Sequence, residues 1–470
     1  MIRFGTSGWR SIMAEEFTFA NVRKVVQAIA THLRSVQEQS AEKGRSVVVG
    51  YDPRFLSPEF AQTAAEILSK NGLPVLFSKT FVPTPVVSFA VMNQKALGGV
   101  NFTASHNPAE YNGIKFNMAN GAPASPDVTH EIERLANAPD AGTPGRGDAA
   151  PIKLFDPKPA YFAKLRKTID VGALRKSKMK VGVDVLYGAG LGYIDEFFEE
   201  AGLRTTVLHN WRDVMFGGQS PEPAEPQLME LVRAMKKEKL VAGFATDGDA
   251  DRFGVLDSDG SLLSPNEILP IVLDHLVTTR NAKGLVVRSV MTSHFIDAVA
   301  KSHGLELRET PVGFKYIAEA MEEGGFLMGG EESGGMTING HVPEKDGILA
   351  CLLMAEVRAI RKKPFREILK ELRKRVGPYL SKRVNLHLSD EVMQGVRRKF
   401  ETLTPNTIDG LAVKKIIRLD GFKFVFEDDS WLGVRLSGTE PVVRLYLEAN
   451  SDRKLKDLEK IGTRLITSNA

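Results

Sequence analysis

The sequence predicts an α/β protein: three related α/β domains with mixed, largely parallel sheets, followed by a smaller C-terminal α+β domain. Three observations carry this. First, a strand and a helix-length stretch open a pattern that recurs three times, from "SVVVGYD", from "KVGVDVLYG" and from "GLVVRSVMTS". Second, each repeat continues with a Gly-Leu-led strand ("GLPVLFS" from Gly72, "GLRTTVLHN" from Gly202, "GLELRET" from Gly304), another helix-length stretch, and a third strand that runs into a polar loop. Those loops are "TASHNP", "TDGDADR" and "GGEESGG". Third, the texture changes after "KRVGPYL". There "KRVNLHLS", "KKIIRLDGFKFVFEDDSWLGVRLSG" and "VVRLYLEAN" read as antiparallel strands that end in a terminal helix.

The elements follow in order. Thr18 caps a first helix whose Val22, Val25, Val26, Ile29 and Leu33 recur on one face. "RSVVVGYD" is a short β-branched run, as in a strand buried on both faces. A second helix starts at Ser57-Pro58-Glu59 and stops at Asn71-Gly72, with cap, first-turn proline and terminal glycine in their preferred places. "NAPDAGTPGRGDAAPIKLFDPKP" is rich in Pro, Gly and Ala and reads as the link to the second repeat. The second and third repeats meet near "DRFGVLDSDGS". The expected domains are therefore 1–150, 151–254, 255–372 and 373–470. A hinge is expected near Gly377-Pro378.

The totals exclude several classes. A chain of 470 residues with a net charge of +4 and no block of like charge does not point to nucleic acid. Cys351 is the sole cysteine and sits in the apolar run "DGILACLLMAEV", as a buried structural thiol would; no intrachain disulfide can form, which fits a reducing compartment. The start "MIRFGTSGWRSIM" has no long apolar core, and the longest apolar runs are interrupted by charge. A cytoplasmic protein with no membrane or nucleic-acid partner is expected, as a monomer or homodimer.

Four loops carry chemistry. In "TDGDADR", Asp247, Asp249 and Asp251 alternate along an irregular segment, and carboxylates so spaced repel unless a cation sits among them. An EF-hand fails, because Arg252 stands at the sixth position and Ser258 at the twelfth. Mg²⁺ shared with a phosphate suits the set, with Arg252 beside it to hold a phosphate oxygen; a solvated acidic turn is the plainer alternative. In "VRLSGTEPVVR", Arg435, Ser437, Gly438 and Thr439 make a phosphate cradle, though a hairpin turn fits the same residues. In "GGEESGG", Glu331 and Ser333 could bond vicinal sugar hydroxyls, and flexible polar glycine loops are common. In "GVNFTASHNPAEYNGIKF", Ser105 ends a strand-like run. No G-x-S-x-G is present, and His106, adjacent in an extended segment, faces away from Ser105 and serves equally as a brace. A metal and phosphate sites favour phosphoryl transfer, with Lys115 as acid or base, or else as a surface lysine. "YGAGLG" is no dinucleotide signature, since Gly192 comes one residue early.

In this order the loops resemble the α-D-phosphohexomutase superfamily, which includes phosphoglucomutase and phosphomannomutase. The resemblance covers "FGTSGWR", "TASHNP" with "YNGIKF", "DGDADR", "GEESGG" and "RLSGTEP", essentially the whole chain. It implies four domains around a central cleft, the fourth TATA-binding-protein-like. It implies that Ser105 carries a phosphate, gives it to a hexose monophosphate, and regains the other phosphate of the resulting hexose 1,6-bisphosphate. Ser105, Asp247, Asp249 and Asp251 would bind Mg²⁺. Arg10, His106, Lys115 and Arg252 would line the transfer site. Glu331, Ser333 and Lys315 would contact the sugar, and Arg435, Ser437, Gly438 and Thr439 the idle phosphate. Hexose phosphates are the expected partners.

The sequence also departs from the family. Ser11 replaces a usual glycine. Gly335 stands where phosphomannomutases and phosphoglucosamine mutases usually carry a histidine, and Glu332 where those branches show Met or Gln. "GEESGG" is nearer the phosphoglucomutase type. The expected activity interconverts glucose 1-phosphate and glucose 6-phosphate, with mannose as a further substrate. Its rivals are a mannose-preferring enzyme, a non-catalytic sugar-phosphate binder and a Ca²⁺-binding protein.

Overall fold

The structure, a computed structural model, describes residues 1–5, 8–39, 44–139, 141–142, 148–436 and 442–467. In the first repeat Val47–Tyr51 lies between Val75–Ser78 and Gly98–Phe102, all parallel. The chain then returns as Tyr111–Met118, antiparallel to Gly98–Phe102, and Trp9–Ile12 adds outside it. The second repeat copies this order. Lys180–Asp184 lies between Arg204–Leu208 and Ala242–Thr246, and Phe253–Asp257 returns antiparallel. In the third, Leu285–Ser289 runs parallel between Leu307–Thr310 and Phe326–Glu331. The C-terminal sheet is antiparallel throughout, in the order Leu380–His387, Val442–Ala449, Trp431–Leu436, Phe422–Phe426, Leu411–Ile417, Thr407–Ile408.

Most local expectations hold. Val22, Val25, Val26, Ile29 and Leu33 are buried on helix Phe19–Gln39, and Thr18 Oγ1 accepts from Asn21 N at 3.3 Å as a cap. Ser57 is different. Leu56, left-handed at φ 59°, precedes helix Ser57–Lys70, and the Ser57 hydroxyl donates to Asp52 Oδ1 at 2.9 Å instead of capping. A buried carboxylate is the stronger acceptor and takes it. The Pro/Gly/Ala-rich link contains strand Ile152–Phe155, which pairs parallel with Val75–Ser78 at the edge of the first sheet.

The chain packs as two compact units: Met1–Ser264 with Ala318–Gly324 and Ser333–Phe365, and Pro265–Ile317 with Gly325–Glu332 and Arg366–Ala470. In the first unit, helix Gly347–Arg361 packs on Ala242–Thr246 and Phe253–Asp257 of the second repeat. It is apolar almost all round, as a helix covered on every side must be. Cys351 lies on it, fully buried, its Sγ 3.5 Å from Ala245 O. In the second unit, Val290 and Met291 of the third repeat pack against Val425, Trp431 and Tyr446 of the antiparallel sheet. Buried Glu448 accepts from Trp431 Nε1 at 2.7 Å and from His294 N at 3.0 Å across that junction. Helices Asp390–Thr402 and Asp452–Thr467 supply Val396, Phe400, Leu458 and Ile461 to the core of the antiparallel sheet. Among the described residues no helix is long and apolar enough to cross a membrane.

Candidate active site

The site in the first unit forms where two equivalent strands end. Loops at the carboxyl ends of parallel strands face one side of a sheet. Gly98–Phe102 delivers Ser105, and Ala242–Thr246 delivers the three aspartates. Ser105 is 1% exposed and has φ 54°. A non-glycine residue held there is uncommon and needs its surroundings to hold it. Its N–H donates to Thr103 Oγ1 at 2.9 Å and its hydroxyl donates to Asp247 Oδ2 at 2.8 Å. The turn therefore rotates Ser105 out of the extended path assumed from the sequence.

Asp247, Asp249 and Asp251 are fully buried, and one carboxylate oxygen from each lies within 4.8 Å of the others. The antiparallel register sets Lys115 opposite Asn101, one residue from the strand end. From there Lys115 Nζ donates to Asp249 Oδ2 at 2.5 Å and Asp251 Oδ2 at 2.7 Å. Lys345 Nζ adds a third contact, 2.8 Å from Asp251 Oδ2. The Thr84 hydroxyl also donates to Asp249 Oδ2. Arg252 N donates to Asp247 Oδ1 at 2.9 Å, and its guanidinium reaches Glu222 at 3.2 Å. Arg10 Nη1 donates to Asn107 Oδ1 at 2.8 Å.

These contacts divide the protons. Burial, then the charges of Asp251 and Asp249, push the Asp247 carboxyl well above the ordinary range. Burial and Asp251 push Asp249 the same way, but Lys115 outweighs them and leaves it below its ordinary value. Asp251 also resists burial, held well down by Lys115, Lys345 and Arg252. Burial opposes the Lys115 charge, yet Asp249 and Asp251 hold its ammonium above the ordinary lysine value. Lys115 is therefore held as an ammonium. Burial, with Arg252 and Arg10 nearby, keeps His106 neutral, its pKa well below the usual imidazole value.

Two carboxylate oxygens, Asp249 Oδ1 and Asp251 Oδ1, are buried with no hydrogen-bond partner. Orphaned anionic oxygens beside a third carboxylate form an all-oxygen donor set, which fits a hard divalent cation.

Other expected residues lie in the second unit. Glu331 is 5% exposed at the end of Phe326–Glu331, and its Oε1 accepts from Gly313 N at 2.7 Å. Lys315 Nζ is 5.1 Å from the centre of the Tyr316 ring. Arg435 Nε donates to Asp420 Oδ1 at 3.1 Å, and Asp420 Oδ2 accepts from Val312 N at 3.1 Å. Ser333 belongs to the first unit and is half-buried. Ser437, Gly438 and Thr439 lie outside the described residues.

Sequence reasoning missed Lys345, Thr84, Asn107 and Arg54. Lys345 is placed by a close approach that only the folded chain shows. A side chain at Gly335 would bring its Cβ within 2.5 Å of Lys345 Cγ, so the glycine makes room for the lysine stem.

Four successive family profiles match: phosphoglucomutase/phosphomannomutase alpha/beta/alpha domain I at residues 1–142, domain II at 159–260, domain III at 264–376, and the C-terminal domain at 384–461. A phosphoglucomutase/phosphomannomutase of Thermococcus kodakarensis is 31% identical over 469 residues, covering 98% of each chain. A protein of Methanosphaera stadtmanae, named provisionally as a phosphoglucosamine mutase, is 32% identical over 471 residues, covering 99% of this chain and 98% of its own. The crystal structure of a protein from Thermus thermophilus, named provisionally as a phosphomannomutase, superimposes with a TM-score of 0.85 at 33% identity over 99% of each chain.

Proposed function

The chain belongs to the phosphoglucomutase/phosphomannomutase family of phosphohexomutases, and we propose that within it the protein moves phosphate between C1 and C6 of a hexose, glucose first and mannose second, through Ser105. One observation carries the reading. The Ser105 hydroxyl is buried, turned by a left-handed backbone onto Asp247, and set in a carboxylate cluster that Lys115 and Lys345 partly neutralise.

The residues divide the work. A hexose hydroxyl attacks the phosphorus on Ser105 Oγ. The new O–P bond forms as the Oγ–P bond breaks; the hydroxyl gives its proton to water, and Oγ takes one from the protein. Lys115, kept protonated by Asp249 and Asp251, is the residue placed to supply that proton and to take it back when the bisphosphate returns its other phosphate. Arg10, Arg252 and Lys345 add positive charge where phosphate oxygens gather. Ser105, Asp247, Asp249 and Asp251 would hold Mg²⁺, which when bound supplies Lewis-acid neutralisation of those oxygens. In the second unit Glu331 and Lys315 would meet the sugar, and Arg435, with Ser437, Gly438 and Thr439, the phosphate not in transit. Ser333 would join the sugar contacts. Glucose is favoured because Lys345 fills the space beside Gly335 where mannose- and glucosamine-type relatives are expected to carry histidine.

The test is ³¹P NMR of the protein with Mg²⁺, a trace of glucose 1,6-bisphosphate, and glucose, mannose or glucosamine 1-phosphate in separate tubes. Conversion to the 6-phosphate that disappears in Ser105→Ala supports the reading, and the rates rank the sugars. Three silent tubes overturn it.

A further inference from the structure

We infer that Arg54 is a positioning residue for Ser105, holding the serine loop in the backbone conformation that transfer requires. The inference rests on the reading of Ser105 as the phosphate carrier. Arg54 is fully buried, in the loop that follows strand Val47–Tyr51, a segment the sequence left without a role. Its guanidinium makes five hydrogen bonds. Nε donates to Asp52 Oδ2 at 3.1 Å. Nη1 donates to Pro108 O at 2.7 Å and Tyr111 O at 3.1 Å. Nη2 donates to Ser105 O at 2.7 Å and Asn107 O at 2.6 Å.

The pattern is selective. All four carbonyls come from the segment 105–111, the serine loop itself, and the remaining donor goes to the carboxylate that anchors the arginine. Guanidinium offers a planar fork with about five N–H donors, so its capacity is filled; lysine offers about three donors and no plane. Asp52 is fixed in turn by Arg54 N at 3.1 Å and Ser57 Oγ at 2.9 Å. The Phe216 ring lies 4.8 Å from the guanidinium carbon. Arg212 holds the Arg54 backbone, donating to Pro53 O at 3.0 Å and Arg54 O at 3.3 Å.

The carbonyl of Ser105 is the point of greatest constraint. Arg54 grips it through Nη2. The metal-loop residue Gly248 also approaches it, so closely that a Cβ there would collide with the same oxygen. The peptide that orients the Ser105 side chain is thus clamped between an arginine and the aspartate loop, while φ sits in the left-handed region at 54°. A loop released from the clamp relaxes toward ordinary backbone angles and carries Oγ away from Asp247. A shift of about 1 Å in a reacting atom costs on the order of 100-fold in rate.

The experiment compares wild type with Arg54→Lys, which keeps the charge and loses the fork. The readouts are kcat and KM for glucose 1-phosphate with Mg²⁺ and bisphosphate, and amide exchange across residues 103–111. The expected result is a kcat lower by about 100-fold with KM within about twofold, a split that marks lost transition-state geometry rather than lost binding. Exchange should quicken across 103–111 and stay slow in strand Ala242–Thr246. If Arg54→Lys does not fold, Asp52→Asn carries the test, with the same split at about tenfold in kcat. Near-wild-type kcat, a rise in KM that accounts for the loss, or unchanged exchange across the loop overturns the inference. Wild-type protein that converts no hexose phosphate sinks the proposed function instead, and the exchange comparison then decides the role of Arg54 by itself.

Discussion

Replacing Lys115 by methionine removes one ammonium from among buried carboxylates and keeps most of the side-chain volume. The structure sets the magnitude. Lys115 Nζ lies 2.5 Å from Asp249 and 2.7 Å from Asp251, both fully buried. Removing one partner of a buried pair strands the other charge and costs about 3–5 kcal/mol. Lys345 still faces Asp251 at 2.8 Å, which places the expected loss toward the lower end, about 3 kcal/mol. A cation among the aspartates replaces the missing charge, so Mg²⁺ should stabilise Lys115→Met more than wild type. At about 100 times its dissociation constant it returns roughly 2.7 kcal/mol. The assay is thermal unfolding of both proteins, with chelator and across a Mg²⁺ titration. If Lys115→Met melts with wild type in chelator, or Mg²⁺ raises both melting points equally, the electrostatic account of the site is refuted.

Other outcomes follow from single contacts. Gly335→His displaces the Lys345 stem and should lower kcat about 10–100-fold while shifting the ranking of glucose against mannose and glucosamine in the ³¹P assay; an unchanged ranking would remove the argument from Gly335. Asp249→Asn should lose the Mg²⁺-dependent rise in melting temperature that Ser105→Ala retains, as read by the same titration. Asp420→Ala removes the 3.1 Å partner of Arg435 Nε and should raise KM more than it lowers kcat in steady-state kinetics. His209 Nδ1 lies 2.8 Å from Asp184 Oδ1, and that bond raises the imidazole pKa against burial. Its stabilisation is whole below the unfolded value of about 6.5 and is lost as pH rises through the raised folded value. His209→Gln should therefore destabilise most near pH 6 and less near pH 9, measured by melting temperature across that range.

Much of the candidate site was legible because its signals are local. Alternating aspartates on an irregular loop announce a cluster of repelling carboxylates, and the structure gathers them with one oxygen of each within 4.8 Å of the others; a serine after a buried strand announces a loop at the strand's end, where Ser105 lies buried. The first helix face was legible for the same reason, since a 3.6-residue period is written within a few turns. The Ser57 misreading shows the limit. Its cap signature is correct as local chemistry, and only the buried Asp52 beside it redirects the hydroxyl.

By itself, then, the sequence determined the repeated strand–helix order, the loops that end each repeat, and the family those loops belong to. All of these rest on neighbours a few residues apart. The tertiary structure decided which charges meet. Ser105 finds Asp247 across 142 residues of chain, and Lys115 finds Asp249 across 134. It also decided that Lys345 enters where Gly335 leaves space, that Gly347–Arg361 covers the second repeat's sheet, and that Arg54 spends its donors on the serine loop. The physical reason is range. Periodicity and turn chemistry act along the chain, whereas ion pairing and close approach act through space, between residues that only folding makes neighbours.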